Sequence, residues 1–202
     1  MPFFEVDGPD LWGDYGSILI HGMTAHLPRK DNQLQLERTG PFVPPISFPG
    51  VGDVIVTDEF RRELAESPFT HLEFRSIIKA RIVKYNWEKW DRTAAEPEEF
   101  PESGEPEDYV LARPHSAKIA NELGNLWQVL LPEGATVSPE TRPGSWRSDL
   151  RVTLSTWNGN HLFWGKKRST DEGSWIIVSE LGKTWLESRA SEWLRFDALL
   201  EK

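Results

Sequence analysis

The feature that most constrains the fold is a stretch that occurs twice. Residues 52–74 recur as residues 174–196, without a gap, at a constant offset of 122. The matched pairs are Ile55 and Ile177, Val56 and Val178, Thr57 and Ser179, Asp58 and Glu180, Leu64 and Leu186, Leu72 and Leu194, and Phe74 and Phe196. Each pair keeps its physical type. A β-branched run comes first, then a hydroxyl placed to cap a helix, an acid at the positive end of the helix dipole, an apolar helical face and a new apolar strand. Such a unit predicts an α+β fold, a mixed strand-rich sheet with short helices, containing a duplicated strand–helix–strand unit at 52–74 and 174–196.

The remainder of the chain divides around these copies. Residues 1–92 form an N-terminal half with the first copy, 93–108 an acidic Pro/Glu loop, and 109–202 a C-terminal half with the second copy, all expected to make one compact domain. Residues 1–16 read as loop, broken by Gly8-Pro9 and Trp12-Gly13. The apolar run 17–20 reads as a strand, and Gln33-Leu34-Gln35-Leu36-Glu37 alternates as a half-buried strand. Residues 39–50 carry four prolines, which excludes them from a central strand. Thr57 caps a helix with Phe60 and Leu64 on its inner face, and residues 77–85 form a strand. Residues 109–112 read as a short strand, Ser116 as the cap of a helix over 117–123 with Gly124 as its stop, and 126–131 as a strand. Residues 132–149 read as a Pro/Gly/Ser connection. Leu150, Val152 and Leu154 alternate as a strand, and Asn158-Gly159 marks a turn. In the second copy Ser179 caps a helix with Leu181 and Trp185 on its buried face, and the tail to Lys202 reads as a last helical turn.

Charge is unevenly placed. The net charge is −9. Glu96, Glu98, Glu99, Glu102, Glu105, Glu107 and Asp108 fall in 93–108 with no Lys or Arg, so that stretch carries −7 and the rest −2. The balance disfavours nucleic acid, whose phosphates need cationic side chains, and favours a basic partner. The acidic stretch reads either as a solvated surface loop or as a docking element that steers toward such a partner. Ten Trp against three Tyr point to a core built from large rings. Trp157 and Trp164, flanking the Asn158 turn, read as core residues or as exposed interface anchors.

Catalytic signals are poor. With no cysteine there is no disulfide, thiolate metal site or thiol nucleophile. Residues 18–22, a run ending in His21-Gly22, resemble the oxyanion segment of α/β-hydrolases, but no Gly-x-Ser-x-Gly elbow accompanies them. No His-Glu-x-x-His, Gly-x-Gly-x-x-Gly or Walker loop occurs, so no metal and no cofactor is expected. The N-terminus lacks a signal-peptide pattern and no run approaches the roughly 18 apolar residues of a membrane span, so a soluble, cytoplasmic chain without a membrane partner is expected.

The first copy, Gly52-Asp53-Val54-Ile55-Val56-Thr57-Asp58-Glu59-Phe60 followed by Leu72-Glu73-Phe74, together with Trp157-Asn158-Gly159-Asn160-His161-Leu162-Phe163 leading to the second, resembles bacterial immunity-type proteins of polymorphic toxin systems. Leu36-Glu37-Arg38-Thr39-Gly40-Pro41-Phe42 with the first copy resembles the related double-CXXCG-motif proteins. The resemblance covers residues 34–90 and 150–196. This chain lacks the cysteines that name the second group, so no metal role carries over, and neither group supplies catalytic residues. The resemblance implies a small cytoplasmic protein, monomer or homodimer, that binds one cognate protein toxin with a basic surface and neutralises it by occlusion. Two other classes stay open: an enzyme whose site is assembled from scattered residues such as His21, His161 and a carboxylate, and an accessory or oligomerisation module.

Overall fold

The computed structural model describes residues 1–9, 11, 13–50, 52–95, 105–141, 148–166 and 175–201. In chain order the elements are β1 (Phe3–Asp7), α1 (Gly13–His21), β2 (Gln35–Gly40), β3 (Ile46–Gly50), β4 (Asp53–Thr57), α2 (Asp58–Ala65), β5 (Glu73–Ser76), β6 (Ile78–Lys84), α3 (Pro106–Ala112), α4 (Ala117–Glu122), β7 (Leu126–Leu130), β8 (Glu133–Thr141), β9 (Ser148–Thr153), β10 (Leu162–Lys166), β11 (Ile176–Ser179), α5 (Glu180–Ala190), β12 (Arg195–Ala198) and β13 (Leu200–Glu201). The fold is α+β, with strand-rich sheets and short helices. Among the described residues no helix is long and apolar enough to cross a membrane.

Two units are present, each assembled from separated stretches of chain. One comprises Met1–Asp7, Leu64–Glu73 and Leu130–Lys202, the other Gly8–Glu63 and Phe74–Val129. The first holds a seven-stranded sheet in the order β12-β1-β11-β10-β8-β9-β13. Its core packs Phe3, Val137, Val152, Phe163 and Ile177, all fully buried. The second holds a four-stranded sheet, β3-β4-β7-β5, and a parallel pair, β2-β6. Leu34, Leu36, Ile55 and Leu126 form one of its apolar clusters, and Ile82, Ile119, Ala120 and Leu123 another.

Both copies of the repeat form the expected strand, capped helix and strand. Thr57 Oγ1 accepts from the Phe60 N–H at 3.3 Å, and Ser179 Oγ from the Gly182 N–H at 3.3 Å. The equivalence reaches further than the matched residues. Around β4 the neighbours are β3 and β7, with β5 beyond β7; around β11 they are β10 and β1, with β12 beyond β1. Opposite Ile55, Val56 and Thr57 stand Gln128, Trp127 and Leu126; opposite Ile177, Val178 and Ser179 stand Glu5, Phe4 and Phe3. On the other edge Ile46 faces Val56 as Leu162 faces Val178. Thr57 N donates to Pro45 O at 3.1 Å, and Ser179 N to His161 O at 3.0 Å. Even the lid over the middle strand repeats. The Arg61 guanidinium lies 4.6 Å from the Trp127 ring and 6.0 Å from Phe74, and Lys183 Nζ lies 5.0 Å from Phe4 and 5.6 Å from Phe196. The sheet around each copy is therefore completed by a strand from the opposite half of the sequence: β7 serves the first copy and β1 the second.

Several local expectations are corrected. Residues 1–16 are not all loop: β1 pairs on both edges and buries Phe3 and Val6. Residues 17–20 belong to helix α1, not a strand. Gly16, Leu19 and Ile20 are buried at helical spacing, and Gly22 ends the helix with φ +81° and its N–H on Ile18 O at 2.9 Å. A short apolar run has no periodicity that separates the two readings. Residues 109–112 are likewise helical. Pro106 at the first position presets the helical φ, and Val110 is the buried anchor. The connection at 132–149 contains strand β8, paired with β9 from Thr136 to Thr141. It also pairs with β10 in parallel, Glu133 opposite Trp164 and Thr136 opposite Lys166. The tail forms β13, parallel to β9, rather than a helical turn. In α5 the buried row is Gly182, Leu186 and Ala190, whereas Leu181 is 50% exposed. Trp185 is half-buried, its ring 5.2 Å from Phe69. The Ser179 cap fixes this phase, and Gly182 stands where the first copy has Phe60. A Cβ there would lie 2.6 Å from His161 O and 2.8 Å from the Phe69 ring.

Candidate partner-binding site

The second unit carries an aromatic surface flanked by the two ends of the acidic stretch. β6 runs into Tyr85 and then a 3₁₀ turn, Trp87–Lys89. Phe42 and Trp87 lie 5.3 Å apart between ring centroids, Tyr85 and Trp87 4.9 Å, Trp87 and Trp90 4.9 Å, and Tyr85 and Tyr109 5.8 Å. All five rings are half-buried, and their edge-to-face contacts fix the shape of the patch.

The acidic stretch opens on a local turn and ends in a docked helix. On one side Asp91 accepts from the Thr93 N–H at 2.9 Å and the Thr93 hydroxyl at 2.7 Å, and these bonds hold its carboxyl below the usual carboxylate range. On the other, α3 is docked onto β6. Tyr109 Oη donates to Lys84 O at 3.0 Å, the Arg81 guanidinium donates to Leu111 O, and the Arg113 guanidinium lies 4.0 Å from the Tyr109 ring centre. Glu107 meets His26 Nε2 at 2.6 Å, and His26 Nδ1 lies 3.3 Å from Glu37, a buried carboxylate that also pairs with Arg81 at 3.2 Å. His26 thus links two carboxylates, with both ring nitrogens engaged. An imidazole held this way ties α3 to β2.

Of the residues singled out in sequence, Glu96, Glu98, Glu99 and Glu102 lie outside the described residues. Glu105 is exposed at the start of α3, Glu107 binds His26, and Asp108 is exposed in the first turn. The turn between Trp157 and Trp164 belongs to the other unit and is built into it. The half-buried Trp157 packs on Phe3 at 5.5 Å and donates to Asn160 O at 2.7 Å. Asn158 is exposed, but its amide donates to Glu133 O at 2.9 Å. Trp164 is half-buried in β10, opposite Ile176 and Glu133. Phe42, Tyr85, Trp87, Trp90, Tyr109 and His26 lie outside the site residues expected from sequence, although the spacing Tyr85-x-Trp87-x-x-Trp90 just before the acidic run is a local signal for part of the patch.

The histidines named for a scattered enzyme site fall in different units, His21 in one and His161 in the other. His161 Nδ1 lies 2.8 Å from Ser179 Oγ. That serine is fully buried and its oxygen already caps α5, so the pair stiffens a helix start and presents no nucleophile. His21 is buried against the edge of Phe48, with the Gly8 backbone over it and, among the described residues, no hydrogen-bond partner on either nitrogen. Burial and, secondarily, the charge of Arg38 push its pKa down to about 4. Arg38, also buried, donates to Thr39 O, Ile20 O and Phe42 O at 2.9, 2.8 and 3.1 Å, and burial lowers its pKa to about 9. Among the described residues no group of three or more His, Asp or Glu side chains is arranged to hold a metal ion.

No family model, curated protein or solved structure matches the chain.

Proposed function

We propose that this chain is a non-catalytic immunity protein, acting in the cytoplasm, that binds a cognate protein toxin with a basic surface and neutralises it by occlusion. The observation that carries the reading is the five-ring patch of Phe42, Tyr85, Trp87, Trp90 and Tyr109 with the helix that ends a −7 stretch docked beside it. Aromatic faces attract Arg and Lys, and carboxylates nearby speed their encounter and fix their register. The engaged His26 and the capped, buried Ser179 agree with a binding role. The test is calorimetry with a purified toxin encoded beside this chain. Binding is expected at low salt, weakening as salt rises. Trp87→Ala is expected to weaken it by roughly thirtyfold, the ~2 kcal/mol of an interface anchor. Absence of binding at low salt ends the proposal, and wild-type affinity in Trp87→Ala moves the site elsewhere.

A further inference from the structure

The crossed strands suggest a second partner, another copy of this chain. β1 is held between two strands, one place in from the edge of its sheet. Its residues pair with Ser179, Val178 and Ile177 of β11 on one edge and with Ala198 to Arg195 of β12 on the other. Glu180 N donates to Pro2 O at 3.1 Å and Leu199 N to Phe3 O at 2.9 Å, while Phe3 and Val6 are buried and Lys183 covers Phe4. The chain leaves this unit at once, because Gly8 and the residues that follow belong to the other one. None of these contacts depends on which molecule supplies the strand. Inside a single chain the same strand position is already filled from the opposite half twice, in the same register and under the same kind of cation.

We propose that β1 is exchangeable, and that two copies of this chain trade it through the Gly8-Pro9 connection, each β1 entering between β11 and β12 of the other copy. The occupant is residues Phe3–Asp7 of the second copy, which bring the pairing and burial just described. Exchange preserves every strand contact and changes only the path of the connection. The dimer is thus reached by opening and reclosing at high protein concentration rather than through a new surface. The inference is independent of any toxin.

The absence of cysteine makes a clean test possible. Phe4 and Val178 stand directly opposite each other, a separation a disulfide can span. Full-length Phe4→Cys and Val178→Cys chains are unfolded together, refolded at high concentration and oxidised. Exchange predicts a covalent heterodimer several-fold above that from Phe4→Cys with Leu181→Cys, an exposed position on the same unit, and it predicts a yield that rises with protein concentration. A yield no greater than this control overturns the proposal. Should either variant misfold, wild-type chain refolded over the same concentration range is followed by light scattering. A dimer that persists on dilution and returns to monomer only after unfolding supports exchange, and a monomer at every concentration refutes it.

Discussion

His21 makes a quantitative demand on how stability depends on pH. Its ring is buried with both nitrogens unpartnered among the described residues, the charge of Arg38 acts on it, and Phe48 packs edge-on. The folded pKa is about 4, against about 6.5 for a free imidazole. Between those values the unfolded chain takes up a proton that the folded chain refuses, so the contribution is full above pH 6.5 and is lost as pH falls toward 4. The whole gap corresponds to about 3 kcal/mol, of which about 2 kcal/mol disappears between pH 7 and pH 5. His21→Leu keeps the volume and removes the titration. Urea unfolding at the two pH values, followed by tryptophan fluorescence, gives four stabilities whose double difference cancels the carboxylates common to both proteins. Wild type is expected to lose about 2 kcal/mol more than His21→Leu on acidification. Equal losses in the two proteins refute the assignment of that acid sensitivity to His21.

The phase of α5 gives a second test. Leu186→Ala, at a fully buried site, is expected to cost about 2–5 kcal/mol, whereas Leu181→Ala, at a half-exposed one, should stay within about 0.5 kcal/mol of wild type in urea titrations. Gly182→Ala reverses the usual helix trend. The propensity gain of about 1 kcal/mol should be outweighed by crowding against His161 O and Val178, giving a net loss of stability by calorimetry. Ser179→Ala removes both the α5 cap and the His161 contact and should lower stability by about 1–2 kcal/mol, measured by the same unfolding titration.

The repeat was legible because its signals are local: Thr57 and Ser179 announce helix starts, and Ile55 and Ile177 announce strands. Side-chain phase was less so. Leu181 is more apolar than Gly182, yet the cap at Ser179 turns Gly182 inward and leaves Leu181 in solvent. Phe3-Phe4-Glu5-Val6 and Leu126-Trp127-Gln128-Val129 make a second matched pair of segments, at an offset of 123. The first was hidden by the flanking Pro2 and Gly8-Pro9, which read as loop, and by residue-by-residue burial that lacks simple alternation. The candidate site was half legible. Charge located the acidic stretch, but the meeting of Phe42 and Tyr109 with Tyr85 and Trp87 depends on tertiary packing that no local spacing encodes.

The position of β1 also bears on biosynthesis. Phe3 pairs with Ser179 and Phe4 with Ala198, residues made near the end of this sequence. During translation two phenylalanines and a valine must wait for their strand partners while the residues between β1 and β11 are produced. Such long-range pairing slows folding and leaves an adhesive strand exposed on the nascent chain. Premature termination anywhere before β11 removes the only described strands that bracket β1, which makes truncated products natural clients for chaperones that shield apolar segments.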